Sequence, residues 1–202
     1  MTAMLRTLTL AAAVAAGTAF VAAPGAHAAC DASKPGTELT GDEAQAVYDC
    51  LKDSMLAGYK KGNKRWIPAD RVNDYRSWTS ASTFPAAPGF HGERFLLTYV
   101  NAVGAEQYLK YEEEGFTMPA GTVIAKESFS VSAKGKAKAG PLFFMEKAAA
   151  GSSPQTNDWY YYMVAANGQP QGINVVQACH TCHAGFDYRD GMAYPVEDAR
   201  VK

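Results

Sequence analysis

The run Cys179-His180-Thr181-Cys182-His183 constrains this chain more than any other stretch. Two thiols three residues apart lie on one helical turn, and a histidine directly after them sits where it can ligate whatever the thiols hold. C-x-x-C-H is the pattern of c-type haem attachment, in which the thiols add to two vinyl groups and the imidazole takes the iron. A structural zinc site is the poorer reading, because Cys179, His180, Cys182 and His183 crowd four ligands into five residues and close a tetrahedron awkwardly. A thiol redox pair is poorer too, since that motif sits beside a βαβ pattern, whereas several strand-like segments precede this one. His180 then reads as an exposed spacer. With the attachment point so late in the sequence, the pocket around it has to be built from upstream residues.

Residues 1–28 carry one positive charge at Arg6, a long apolar run and then Ala26-His27-Ala28. These are the n-region, h-region and A-x-A cleavage site of a secretory signal peptide. Gly17 and Pro24-Gly25 interrupt the apolar run, so no membrane anchor is expected. His27 stands where a lipobox would place an aliphatic residue, which argues against a lipid on Cys30. The expected location is the periplasm, an oxidising compartment where the two remaining cysteines, Cys30 and Cys50, can persist as a disulfide. Such a loop stabilises by about 3 kcal/mol on the chain-entropy picture; a pair of free thiols is the alternative. Residues 29–202 are the length of one ordinary domain, with enough apolar and aromatic content to bury a core. Without Arg6 the chain holds 18 basic against 20 acidic residues, a net of −2. Nothing in that balance favours nucleic acid or an anionic membrane.

Thr40 before Gly41-Asp42-Glu43 reads as an N-cap, and Ala46, Val47, Cys50, Leu51, Met55 and Leu56 recur at helical spacing up to Gly62. Residues 70–78 form a second, short helix that packs Val72, Tyr75 and Trp78, and residues 85–92 are loop. Four strand-like runs follow, at 94–101, 122–132, 142–147 and 159–165, with a short helix over 105–114 after the first. In the second run Val123, Ala125, Glu127, Phe129 and Val131 share one face, while Ile124, Lys126, Ser128 and Ser130 share the other. The lysine-rich stretch 134–138 reads as a mobile, solvated hairpin loop, and Asn167-Gly168 as a turn. A short helix from Asn174 carries Val175, Val176 and Gln177 into the cysteine motif. The class this implies is α+β, an antiparallel β-sheet with peripheral helices and the haem attached near the C-terminus.

Few residues remain downstream to supply a sixth ligand to iron. Met192 is the only methionine there, and it is too near His183 in sequence to reach the opposite haem face easily. Met118, Met145 and Met163 lie upstream, where methionines in or beside strands are ordinarily core. His91, between Phe90 and Gly92, is the other imidazole outside residues 1–28 and the motif, and a lone loop histidine is ordinarily structural. The expectation is five-coordinate iron with an open distal site, which suits binding or transforming a small molecule better than carrying electrons.

The order of the strand motifs resembles the cytochrome P-460 family, which includes the cytochromes c′-β. The residues that carry the resemblance are Tyr75 and Trp78, His91-Gly92, Tyr99-Val100-Asn101, Gly121-Thr122-Val123-Ile124-Ala125-Lys126-Glu127, Phe143-Phe144-Met145-Glu146-Lys147, Asp158-Trp159-Tyr160, and the haem motif with Asp187-Tyr188. The resemblance implies a mostly antiparallel β fold, a homodimer, and one covalently attached haem c with a high-spin five-coordinate iron. It also implies that Lys126 stands where cytochromes P-460 bond a lysine to the porphyrin; the cytochromes c′-β lack that bond and bind nitric oxide instead. The segment with Cys30 and Cys50 has no counterpart in the resemblance.

The activity implied is oxidation of hydroxylamine, with nitric oxide and nitrous oxide chemistry and electrons passing to a periplasmic acceptor. Such chemistry needs proton acceptors near the distal face. Glu127 and Glu146 are candidates by type, although strict alternation turns Glu127 away from Lys126. Phe116, Phe143 and Phe144 are candidates for an apolar distal lining. The alternatives are a nitric oxide-binding protein without turnover, favoured if Lys126 is unattached, and an electron-transfer cytochrome with a methionine or His91 as sixth ligand.

Overall fold

Each strand of the computed structural model pairs antiparallel with its neighbour in sequence, giving a six-stranded meander in the order β1-β2-β3-β4-β5-β6. The structure describes residues 30–63, 66–174 and 176–202. The signal-peptide reading of residues 1–28 and the place given to Val175 lie outside them. The strands are β1 (Thr79–Ser80), β2 (Phe95–Val100), β3 (Val123–Val131), β4 (Ala137–Lys147), β5 (Trp159–Val164) and β6 (Pro170–Ile173). With helices α1 (Gly41–Tyr59), α2 (Ala69–Asp74) and α3 (Ala102–Tyr108) around it, the sheet makes the fold α+β. Two strands escape the sequence pattern: β1 is only two residues long, and β6 contains Pro170 and Gly172, both poor strand formers.

Helix α1 starts where the sequence says it should. The Thr40 side chain accepts from the Glu43 N–H while the Glu43 carboxylate accepts from the Thr40 N–H, a complete capping box. The buried stripe is Ala44, Val47, Tyr48, Leu51, Met55 and Tyr59, so Tyr48 and Tyr59 replace Ala46 and Cys50, which face out. Aromatic bulk sets the helix rotation, because burying two tyrosine rings removes far more apolar area than burying Ala46. Gly58 is needed for a close approach: a Cβ there would stand 2.1 Å from the Ala166 carbonyl in the β5–β6 turn. A disulfide joins Cys30 to Cys50 and ties the N-terminal segment to α1. Among the described residues, no helix is long and apolar enough to cross a membrane.

The second expected helix is shorter than its pattern, with α2 ending at Asp74 and a single 3-10 turn over Tyr75–Ser77. Helix α3 starts three residues earlier than expected because Asn101 caps it through the Gly104 N–H, and it stops at Tyr108 before the left-handed Tyr111. The lysine-rich hairpin is tighter than a mobile loop, since β4 already begins at Ala137. The Ala32 N–H donates to the Gly135 carbonyl, and Asp31 binds Lys136 and the Ala137 N–H. Pro141, which has no N–H for a ladder, falls at a register shift between Glu127 and Phe129 in the β3–β4 pair.

The sheet separates two apolar clusters. One packs α1 and α2 onto Val123, Ala125, Phe129, Leu142, Phe144 and Tyr162. The other, on the opposite face, gathers Ile124, Met145, Trp159 and Tyr161 with Tyr108, Met118 and Met192. The alternation read from β3 therefore holds, and the second face carries the site.

Candidate functional site

On the face that α1 leaves free, cross-strand rows build the floor of a cavity of about 590 Å³. One row is Ile124, Met145 and Tyr161 and the next is Lys126, Phe143 and Met163, as the β3–β4 and β4–β5 registers require. The cavity walls come from Phe90, His91, Gly92 and Arg94 and from the cysteine motif. A π-helical turn over Val176–His180 and a helical turn over Thr181–His183 bring Cys179, Cys182 and His183 to that wall. Both thiols are free, Cys179 half-buried and Cys182 exposed, and burial raises the Cys179 pKa.

His183 is buried and oriented. Its Nδ1 lies 2.7 Å from the Gly191 carbonyl; because a carbonyl only accepts, Nδ1 carries the proton and Nε2 keeps its lone pair. Burial and the charge of Lys126 lower its pKa to about 4, against the opposing Gly191 bond. The imidazole is therefore neutral at pH 7, the form that ligates a metal.

A second set of contacts holds the Gly191 carbonyl in place. Asp190, at a left-handed φ of 51°, accepts from the Lys147 ammonium at 2.7 Å and from the Met118 N–H at 2.8 Å. Its carbonyl accepts from the Trp159 indole at 2.9 Å. Asp190 and Lys147 are each 7% exposed, so this is a buried ion pair tying β4 and β5 to the loop that orients His183. The sequence reading missed Asp190 and gave Lys147 and Trp159 no role beyond the resemblance; the Asp190-Gly191 dipeptide, a turn signal, was the clue available.

Lys126 is buried on the cavity floor, and its ammonium donates to the Ala193 carbonyl at 2.9 Å. Burial lowers its pKa to about 8, which raises the fraction of neutral, nucleophilic amine. His91 lies in the cavity wall. Its ring is 4.8 Å from that of Phe143 and 6.3 Å from that of His183, centre to centre.

Neither carboxylate proposed by type reaches this cavity. Glu127 projects from the α1 face, where the Arg76 guanidinium and the Tyr48 hydroxyl bind it. Glu146, opposite Val123 in the register, is bound by Arg71 and Tyr162 on that same face. The period of two along a strand is the reason, since Lys126 and Met145 point one way and their sequence neighbours the other. Among the methionines, Met145 and Met163 line the cavity, whereas Met118 and Met192 are packed in the second cluster. Phe143 and Phe144 both line it, Phe144 while also stacking on Tyr162 in the first cluster, whereas Phe116 packs against the second.

The family model for cytochrome P-460 matches residues 72–192. The chain belongs to the cytochrome P-460 family. No curated protein matches it. The match takes in the whole sheet, both cavity walls and the Asp190 loop, and leaves α1 and the Cys30–Cys50 bridge outside. Membership in the cytochrome P-460 family carries a haem cofactor with it, and the residues present fit one. The cavity volume is in the range of about 300–1,000 Å³ usual for cofactor-sized ligands. Its wall offers two thiols and an oriented, neutral imidazole, and its floor is apolar apart from Lys126. In this member the chemistry-bearing residues of the cavity are Cys179, Cys182, His183, Lys126 and His91.

Proposed function

We propose that this chain is a periplasmic c-type mono-haem protein that oxidises hydroxylamine. Cys179 and Cys182 would hold one haem c covalently and His183 would ligate its iron, with Nδ1 kept on the Gly191 carbonyl. Held by Cys179, Cys182 and His183, a haem would supply redox chemistry toward a small nitrogenous substrate. The apolar side chains Ile124, Phe143 and Met145 on the cavity floor would limit water beside a bound haem. Lys126 would bond to the haem edge, and the observation that carries the reading is its amine, buried in the same cavity as the thiols and lowered to about 8 by burial. Electrons would pass to a periplasmic acceptor, and by the family resemblance two copies pair as a homodimer.

The test is to express the full chain in a host that exports it and attaches haem, then to map haem-linked peptides by mass spectrometry and assay hydroxylamine consumption. The expected result is haem on Cys179, Cys182 and Lys126, with hydroxylamine turnover that Lys126→Arg abolishes. Haem on the two cysteines alone, with nitric oxide bound and no turnover, would replace the enzyme by a nitric oxide-binding protein.

A further inference from the structure

Arg94 is held on the cavity side of the sheet with its charge unanswered. Leu96 and Thr98 pair with Ser128 and Lys126 across β2 and β3, so they share the cavity face, and Arg94, extended and two residues earlier, falls on the same face. Its stem crosses β4 where side chains are smallest: a Cβ on Gly140 would stand 3.0 Å from the Arg94 Cδ and Nε and 2.4 Å from the Ser128 Oγ. The loop before it closes over the far end. His91, Gly92 and Glu93 sit at left-handed φ of 60°, 74° and 55°, a run that non-glycine residues adopt only at a cost. It brings the His91 and Gly92 carbonyls to within 2.5 and 3.4 Å of Nη1, which donates to both. Gly92 has no substitute there, because a Cβ would stand 2.4 Å from that nitrogen. Nε is enclosed and unpartnered, and Nη2 donates to no atom among the described residues.

The chain supplies no counter-charge. Among the described residues Arg71, Arg76 and Arg189 each hold a carboxylate, and Arg200 lies over the Tyr111 and Tyr194 rings; Arg94 has neither. None of the residues lining the cavity is acidic, and Lys126 adds a second cation. His91 and His183 add none at pH 7, because burial first, then the charge of Lys126, lowers their pKa to about 3 and about 4. A guanidinium stays charged at any working pH and presents a fork that fits a carboxylate. Lys126 differs in both respects: burial lowers its pKa to about 8, and its ammonium is spent on the Ala193 carbonyl. A largely apolar cavity with one fixed, unanswered guanidinium in its wall suits a large apolar ligand that carries a carboxylate. A haem is such a ligand, since its flat apolar ring bears propionates.

We propose that Arg94 anchors the haem by pairing its guanidinium with a propionate carboxylate. The inference rests on haem attachment at Cys179 and Cys182, not on hydroxylamine turnover. The haem is then fixed at two places, covalently at the cysteine motif and ionically at the end of the 90–94 loop. The left-handed run gains a purpose from this. By binding Nη1 through its carbonyls it keeps the guanidinium from swinging into solvent, so that little side-chain freedom is left to lose when the carboxylate arrives. The contact is a hydrogen-bonded ion pair, with no covalent bond made or broken.

The test compares the haem-loaded wild type with Arg94→Leu, which removes every donor, and Arg94→Lys, which keeps the charge but not the fork. Resonance Raman spectra report the propionate bending vibration, whose frequency rises when the carboxylate is hydrogen-bonded. Arg94→Leu should move that band to lower frequency, and Arg94→Lys should fall between Arg94→Leu and wild type. The haem midpoint potential at pH 7 should be lower in Arg94→Leu than in Arg94→Lys, because an uncompensated carboxylate favours the ferric state. The wild-type band in either variant would overturn the proposal, and Arg94→Lys alone decides it if Arg94→Leu does not fold. A variant that loses stability in urea while keeping the wild-type band would show Arg94 to be a clasp for the loop only. An unmoved band together with nitrite binding weakened about tenfold in Arg94→Leu would assign the guanidinium to a free anion and overturn the propionate pairing. Absence of covalent haem, read from a pyridine haemochrome spectrum, would overturn the attachment reading and this inference together, whereas covalent haem with an unmoved band overturns this inference alone.

Discussion

The two faces of the sheet treat their buried polar groups differently. On the α1 face Glu127 is bound by Arg76 and Tyr48, Glu146 by Arg71 and Tyr162, and the Tyr59 hydroxyl donates to the Gly140 carbonyl; the Tyr75 hydroxyl is the exception. Charges there are paired and aromatic rings fill the space. On the cavity face Lys126 has one carbonyl, His91 Nδ1 has nothing, and two thiols are free. Burial pushes Lys126, His91 and His183 towards their neutral forms, and the charge of Lys126 pushes both imidazoles further. A protein interior tolerates unpaired groups only where something else completes them. The first face is finished by the chain itself, and the second has the chemistry of a face that a cofactor finishes.

If the faces are that separate, damage to one should not be felt as chemistry on the other. The largest effect is expected from Arg76→Met. Glu127 has no side-chain exposure, and removing its guanidinium partner strands a buried carboxylate at a cost of about 3–5 kcal/mol. Urea denaturation of the haem-loaded protein should show that loss while its visible spectrum stays that of wild type. A changed spectrum would mean that the sheet transmits strain between its faces, and the comparison would fail. Asp190→Asn should cost less, about 1–3 kcal/mol, because the amide keeps the shape and one acceptor but loses the charge on Lys147. Its loop carries the carbonyl that orients His183, so here the spectrum or the midpoint potential should move along with stability. A stability loss with an unaltered spectrum would show Asp190 to be structural only.

The same division explains how much was legible in the sequence. The capping box of α1, the antiparallel class and the alternation along β3 were all readable, because each is a local pattern with a local cause. The C-x-x-C-H wall was readable for the same reason. What could not be read is what the register decides. Nothing local shows that β4 turns Met145 toward the cavity and Glu146 away from it, or that the β3–β4 register shifts beside Pro141. Nor does the Phe90-His91-Gly92-Glu93 sequence announce three consecutive left-handed residues; the glycine permits one, and the fold imposes the others. Asp190 and Lys147 lie 43 residues apart, and their pairing exists only once β4 and the C-terminal loop are brought together.

The smallest effects belong to the far edge of the finished face, where the α1 cap is exposed. Thr40→Ala removes the hydroxyl that accepts from the Glu43 N–H and should cost about 1 kcal/mol, nearly independent of pH. Glu43→Gln should behave differently. The Lys34 ammonium first, then the Thr40 N–H, hold the Glu43 carboxyl at about 2, below its ordinary 4.5. A carboxylate whose folded pKa is depressed adds stability above its unfolded value and loses it as pH falls through the folded one. The difference between wild type and Glu43→Gln should therefore be present at pH 6, shrink between about pH 4.5 and pH 2, and weaken with added salt because the pair is exposed. Denaturation midpoints at several pH values would measure it. The spectrum should stay fixed in both variants, and a shift in either would tie the cap to the haem face, against the separation drawn from the buried groups.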